Sequence, residues 1–151
     1  RLHEKHNEYK LIIYGDGPLL PILKDEAINL KVEEYVKFPG YINDVNLKMR
    51  KAAMYVSSSN FEGISNSMIE ALAMGIPTIS TDCPVGGAAM IIENDVNGIL
   101  IPVGDEVTLY NSMIRIAENR DLSDFISNNA VKVRKEYSLD KVAEKWMALL
   151  E

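Results

Sequence analysis

Five short apolar runs punctuate this chain, and each ends in a polar or glycine-rich break. They are KLIIYG (10–15), YVKFPG (35–40), AMYVSSS (53–59), PTISTD (77–82) and NGILIPVG (97–104). Runs of this kind suit strands buried on both faces. Stretches with helical spacing lie between them. LLPILKDEAINLK (19–31) has Pro21 in the first turn, where a proline is tolerated. NDVNLKMRKA (43–52) is a short helix with a capping Asn or Asp, and NSMIEALAMG (66–75) is a helix closed by a glycine stop. GGAAMIIEND (86–95) reads as loop then helix. After Asp105 come three more helical stretches, 107–119, 122–137 and 139–150, and in the last of them Trp146, Leu149 and Leu150 have core-facing spacing. Strand and helix in alternation imply βαβ units. The fold class expected is α/β: a doubly wound, mostly parallel, Rossmann-like sheet with a helical C-terminal segment.

In such sheets ligands bind at the carboxyl ends of the strands. The loops GDGP (15–18), FPGY (38–41), SSSNFEG (57–63) and TDCPVGG (81–87) all fall there. Charge narrows the choice of ligand. Sixteen basic residues against 22 acidic ones leave a net charge of −6, which disfavours generic nucleic-acid binding. A small anion needs only a local field. The single cysteine, Cys83, forms no internal disulfide and reads as a packed or semi-exposed thiol and not as a nucleophile, consistent with a reducing, cytoplasmic setting. His3 and His6 have no neighbours in a metal-site or triad pattern. The opening RLHEKHNEYK reads as the tail of a helix, so the 151 residues are expected to be a fragment of a longer protein.

The segment FEGISNSMIEALAMGIP (61–77) carries the most chemistry. A helix N-terminus offers free N–H groups and a partial positive charge to an anion. Gly63 permits close backbone approach, and Asn66 or Ser67 is placed to cap the helix. Glu70 then stands about one turn up the axis, where a carboxylate can accept two hydroxyl donors from a diol. Glu62 lies on the loop at the opposite flank. That arrangement suits a nucleotide diphosphate sugar. The bland alternative makes Glu70 a first-turn acid complementing the helix dipole and Glu62 an ordinary loop residue.

GDGPLL departs from the dinucleotide fingerprint, because Leu20 occupies the third glycine position and two prolines disturb the helix start. It reads as a tight turn or as a glycine loop lining a nucleotide pocket. TDCPVGGAA reads equally as a glycine-rich anion nest or as a flexible connection.

Taken in order, KLIIYGDGP, VKFPGYIND, AMYVSSSNFEGISNSMIEALAMGIPTISTDCPVGG, NGILIPVGD and the Trp-containing final helix resemble the C-terminal domain of family-four retaining glycosyltransferases of the GT-B fold. The specific part is Glu62-Gly63, Glu70-Ala71 and Gly75-Ile76-Pro77, which match the family's E-x7-E signature and the G-x-P after it. The resemblance covers nearly the whole chain. It implies that residues 1–151 form a nucleotide-sugar-binding domain whose first strand and N-terminal acceptor domain lie outside the chain. Glu62 would contact the donor sugar near the reacting centre and act as the catalytic residue. Glu70 would bind the ribose hydroxyls. Gly63, Ile64, Ser65, Asn66 and Ser67 would hold sugar and diphosphate, and Gly15, Asp16, Gly17, Pro18, Gly40 and Tyr41 would line the nucleotide side. No metal or other cofactor is implied. The donor expected is UDP-linked, and the acceptor is a glycan or lipid-linked chain in surface or capsular polysaccharide synthesis.

Two features depart from the family pattern. The basic strand-loop that usually opens the domain is absent, and Met90 stands where an acid is common. With the acceptor half outside the chain, the fragment alone is expected to be inactive. Its full-length parent would touch the inner face of a membrane only through the other half, and an uncovered apolar face would favour self-association. The rival readings are a nucleotide-sugar epimerase of the same fold and a catalytically silent nucleotide-binding module.

Overall fold

The computed structural model describes residues 1–150 and divides into two compact units, Arg1–Lys48 and Met49–Glu151. The first begins with a short helix α1 (Leu2–Lys5), then β1 (Leu11–Tyr14), α2 (Leu20–Asn29) and β2 (Val36–Gly40), and runs into α3 (Val45–Met49). β1 and β2 pair in parallel, with Leu11 opposite Val36 and Ile12 opposite Lys37. The register then slips, so that Tyr14 faces Gly40. Pro21 sits in the first turn of α2, where it removes no helical hydrogen bond.

The second unit holds β3 (Tyr55–Ser57), α4 (Asn66–Ala73), β4 (Thr78–Thr81), β5 (Ile99–Ile101), α5 (Glu106–Glu118), α6 (Arg120–Ala130), α7 (Val133–Glu136) and α8 (Leu139–Met147). Its strands pair in parallel in the order β3-β4-β5. Side-chain alternation sorts them onto two apolar layers. Val56, Ile79, Ile99 and Ile101 join Ile116 of α5 and Ile126 of α6 on one face. Tyr55 and Leu100 join Met68 and Leu72 of α4 on the other, with Ile91, Ile92, Ala130 and Val133. The sheet is thus covered on both sides.

Helix α4 stops where its sequence requires. The N–H of Ile76 donates to Ala71 O at 3.0 Å and that of Gly75 to Leu72 O at 2.9 Å, with Gly75 left-handed at φ +72. This is a Schellman stop, and glycine supplies the backbone it needs.

Three expectations fail. Residues 86–95 do not form a helix; they make turns with two isolated helical bonds, Met90 N–H to Gly86 O at 3.2 Å and Ile92 N–H to Ala88 O at 2.8 Å. Side chains take the backbone groups that a longer helix would use. Asn97 Oδ1 accepts from Glu93 N–H, Asn97 Nδ2 donates to Ile91 O, and Asn94 Oδ1 accepts from Leu100 N–H. Asp95 then adopts a left-handed φ of 61. The second failure concerns α8. Trp146 is 67% exposed, Leu149 and Leu150 lie beyond the helix and are exposed, and no residue of α8 is buried. Its stripe has helical phase, but among the described residues nothing covers it. The stretch 122–137 also divides, because bonding tightens to Lys132 N–H→Asn129 O and Arg134 N–H→Val131 O between α6 and α7.

Candidate functional site

In the second unit the loop after β3 is tied down before it reaches α4. Thr81 Oγ1 donates to Ser59 O at 2.6 Å. Glu62 N–H donates to Pro84 O at 2.9 Å, and Val85 N–H returns a bond to Glu62 O at 3.1 Å. The chain then enters α4 through Ser65, whose extended backbone (φ −77, ψ 120) and hydroxyl cap Met68 N–H at 3.4 Å. The cap is therefore Ser65, not Asn66 or Ser67. Ser67 Oγ instead lies 3.0 Å from Ser65 Oγ and 2.8 Å from the Tyr55 hydroxyl. These two polar contacts hold its side chain away from the capping position.

The result is a run of consecutive amides, Gly63, Ile64, Ser65, Asn66 and Ser67, whose N–H groups find no acceptor among the described residues. They lie at the positive end of α4, the arrangement that attracts an anion. Glu62 is exposed beside them, with Ser59 Oγ 3.4 Å from one carboxylate oxygen. Glu70 is half-buried, and its carboxylate accepts no hydrogen bond among the described residues. With the cap at Ser65, Glu70 is the fifth residue of the helix, and the first turn holds no acid. The dipole-complement reading of Glu70 therefore loses its basis, since that effect fades after the first turn.

The 81–87 segment is tied by backbone hydrogen bonds to the loop before α4. Val85 N–H bonds to Glu62 O and Gly86 N–H to Cys83 O, while Cys83 and Gly87 are buried. In the first unit the two glycine turns meet: Gly15 N–H donates to Gly40 O at 2.9 Å. Both glycines are left-handed, φ +111 and +77. Asp16 Oδ1 accepts from Gly17 N–H at 2.8 Å, and Asp16, Gly17, Pro18 and Tyr41 are exposed. The sequence expectation thus yields two residue groups, one in each unit.

Sequence reasoning missed a hollow of about 110 Å³ at the carboxyl ends of the second unit's strands, lined by Ser58, Asn60, Thr81, Pro102, Gly104 and Asp105, among others. Asp105 caps α5 there, accepting from Thr108 N–H at 2.9 Å and from the Thr108 hydroxyl at 2.6 Å. Those two donors hold its carboxyl below the usual carboxylate range. The D-x-x-T spacing was the available signal. No cluster of three or more His, Cys, Asp or Glu side chains able to hold a metal occurs among the described residues, and no helix among them is long and apolar enough to cross a membrane.

Comparison with known proteins settles the family. The sequence profile described as Glycosyl transferases group 1 matches residues 1–119. This chain belongs to that family. More closely, it is a C-terminal GT-B domain of a group 1 glycosyltransferase. A curated relative from Campylobacter jejuni, an N-acetylgalactosamine-N,N'-diacetylbacillosaminyl-diphospho-undecaprenol 4-alpha-N-acetylgalactosaminyltransferase, is 31% identical over 90% of this chain and 37% of its own length. The crystal structure of an S. aureus TarM mutant in complex with fondaparinux, alpha-GlcNAc-glycerol and UDP superposes with a TM-score of 0.90 at 26% identity, over 98% of this chain and 30% of that one. Anabaena HepE in complex with UDP, at 23% identity, shares the fold with a TM-score of 0.88 over 94% of this chain and 40% of its own. The chain spans 42%, 44% and 37% of three further curated glycosyltransferases that it matches.

Proposed function

We propose that this chain is the donor-binding half of an enzyme that moves a hexosyl group from a UDP-linked sugar to a glycan or lipid-linked acceptor with retention. The pathway proposed is surface or capsular polysaccharide synthesis. The observation that carries this reading is the set of unaccepted amides at 63–67, flanked by Glu62 on the loop and a half-buried, unpaired Glu70 in α4. Amides fixed at a helix N-terminus stabilise negative charge without reorganising, and cleavage of the sugar–phosphate bond leaves that charge on UDP. Glu70 accepts from the ribose diol, and Glu62 contacts the sugar at the reacting carbon. The glycine turns of the first unit, Gly15, Asp16, Gly17, Pro18, Gly40 and Tyr41, are proposed as nucleotide contacts in their own right. Support for the class comes from the relative that makes an alpha linkage on a diphospho-undecaprenol acceptor and from the UDP held by TarM.

The chain by itself is expected to bind donor without transferring sugar, because catalysis also requires an oriented acceptor. Calorimetric titration of UDP and UDP-sugars into the purified chain tests the reading. Saturable binding that falls at least about tenfold in Glu70→Ala is the expected result, as lost hydrogen bonds to a charged group weigh more than neutral ones. Full affinity in a folded Glu70→Ala protein rejects the ribose role. In the longer parent enzyme, unchanged turnover in Glu62→Ala rejects the catalytic one.

A further inference from the structure

Gly87 is buried, and a Cβ built on it would overlap the Gly63 carbonyl group and fall 2.7 Å from the Ile64 nitrogen. No real Cβ tolerates such an approach to backbone. The whole Gly63–Ile64 peptide therefore lies where a side chain of residue 87 would stand. The same two loops exchange a reciprocal pair of backbone hydrogen bonds, Glu62 N–H to Pro84 O and Val85 N–H to Glu62 O. A third bond, Gly86 N–H to Cys83 O at 2.7 Å, closes the second loop on itself. Cys83 is buried at its base, and Ala88, directly after Gly87, is part of the apolar layer with Met68 and Leu72. One loop is thus anchored in the core, and the other is laid against it.

We propose that the 83–87 loop is a positioning element for the donor turn, with Gly87 as the residue whose missing side chain sets the orientation of the Gly63–Ile64 peptide and the backbone of Glu62. The inference rests on the donor-binding reading of residues 62–70. Its physical content is separate from that reading: two loops far apart in sequence share one fixed backbone geometry. Rotation of a peptide plane is what two reciprocal bonds and one steric wall together prevent. A fixed plane fixes where the free N–H of Ile64 points. Preorganised amides of that kind hold an anion without paying an ordering cost on binding. Glu70 is outside the effect, since it lies inside α4 and its backbone belongs to the helix.

Gly87→Ala tests this, with hydrogen exchange and ligand binding read together. In the variant the amides of Glu62 and Val85 are expected to lose protection by at least about tenfold, while Ile79 and Ser80 of β4 keep theirs. UDP affinity is expected to fall about tenfold or more, and uridine binding followed by NMR titration, which reports the base and ribose contacts without the diphosphate, is expected to stay within about twofold. Equal weakening of both ligands together with deprotection of β4 overturns the proposal, because the effect of Gly87 is then general to the unit. Wild-type protection at Glu62 and Val85 in a folded Gly87→Ala chain overturns the proposal, as does an undiminished UDP affinity where the wild type binds UDP. Should Gly87→Ala not fold, Val85→Pro deletes a single bond of the pair and leaves Gly87 in place. Deprotection of the Glu62 amide is then expected, and an unchanged Glu62 amide overturns the proposal. If the wild-type chain binds neither uridine nor UDP, the donor reading fails while the exchange result still decides the positioning role.

Discussion

β1 and β4 make an instructive pair. β1 reads LIIY, among the most apolar tetrapeptides in the chain, yet Leu11 is 53% exposed and Ile12 47%. β4 reads TIST, and every residue of it is buried. Hydrophobicity alone predicts the reverse order. The difference lies in neighbours. β4 is central in its sheet, paired with β3 on one side and β5 on the other, and helices cover both faces. β1 has one paired edge, toward β2. In the first unit Ala27 is the one buried residue, while Leu19, Ile22, Leu23, Ile28 and Leu30 of the α2 region stay exposed.

The polar groups of β4 are not left unsatisfied by their burial. Thr78 Oγ1 donates to Ile76 O at 2.9 Å, Ser80 Oγ lies 3.4 Å from Thr81 O, and Thr81 Oγ1 bonds Ser59 O. Hydroxyls with local carbonyl partners can be buried at modest cost. Thr81 does more, since its bond reaches the loop that leads to Glu62. The central strand is therefore polar partly because it helps hold the loop before α4.

The largest expected effect comes from changing the same residue type in both units. Leu72 is fully buried and Leu30 is 63% exposed. Leu72→Ala is expected to cost about 2–5 kcal/mol, the range for a core leucine. Leu30→Ala should stay within about 0.5 kcal/mol. Urea unfolding followed by circular dichroism compares them. A Leu30→Ala loss as large as that of Leu72→Ala would break the contrast, because it would mean that the first unit's apolar residues are covered in solution. Native-state hydrogen exchange sharpens the same point. Amides of β4 should exchange at least about tenfold more slowly than those of β1.

Glycines supply a smaller test. Gly75 and Gly15 both have left-handed backbones, φ +72 and +111. A Cβ on Gly75 meets Val131 Cγ1 at 3.0 Å, whereas one on Gly15 meets nothing within 4 Å. Both alanine variants bear a backbone strain of about 1–2 kcal/mol. Gly75→Ala adds crowding against the α6–α7 junction, so its melting temperature should fall further. Equal losses would show that the packing around the second unit's helix stop yields freely.

These contrasts also mark what could be read from sequence. The strands and main helices were legible because each is specified by local periodicity, and the stop at Gly75 by a single residue type. Glu62 and Glu70 were legible as a spaced pair. The cap at Ser65 was not, because Asn66, Ser67 and Ser65 all have capping chemistry and the choice depends on the distant Tyr55 hydroxyl. The missing helix at 86–95 depends on Asn97 folding back onto Ile91 and Glu93. The role of Gly87 is invisible in a one-dimensional pattern, since its partner is 24 positions away along the chain and the constraint is the absence of an atom. Exposure of Trp146 fails for the same kind of reason: phase shows which residues share a face, not what stands opposite.

The smallest effect concerns how far the second unit depends on one charge. Asp105 caps α5 at the rim of the hollow, and the Thr108 hydroxyl and amide both donate to its ionised form. Its carboxyl is accordingly depressed below the ordinary value of 3.8, first by the side-chain bond from Thr108 and then by the backbone one. A depressed carboxylate binds fewer protons folded than unfolded near its titration. Its stabilisation is therefore complete above the ordinary value and disappears as pH falls through the lowered one. Asp105→Asn keeps an oxygen for the Thr108 amide but has no charge to lose. The melting temperature of the wild type should exceed that of the variant modestly at neutral pH, and the two curves should converge in acid below the ordinary carboxylate range. A gap that stays constant through that range would mean the cap acts by shape alone, and that charge at the mouth of α5 contributes nothing to the order of the second unit.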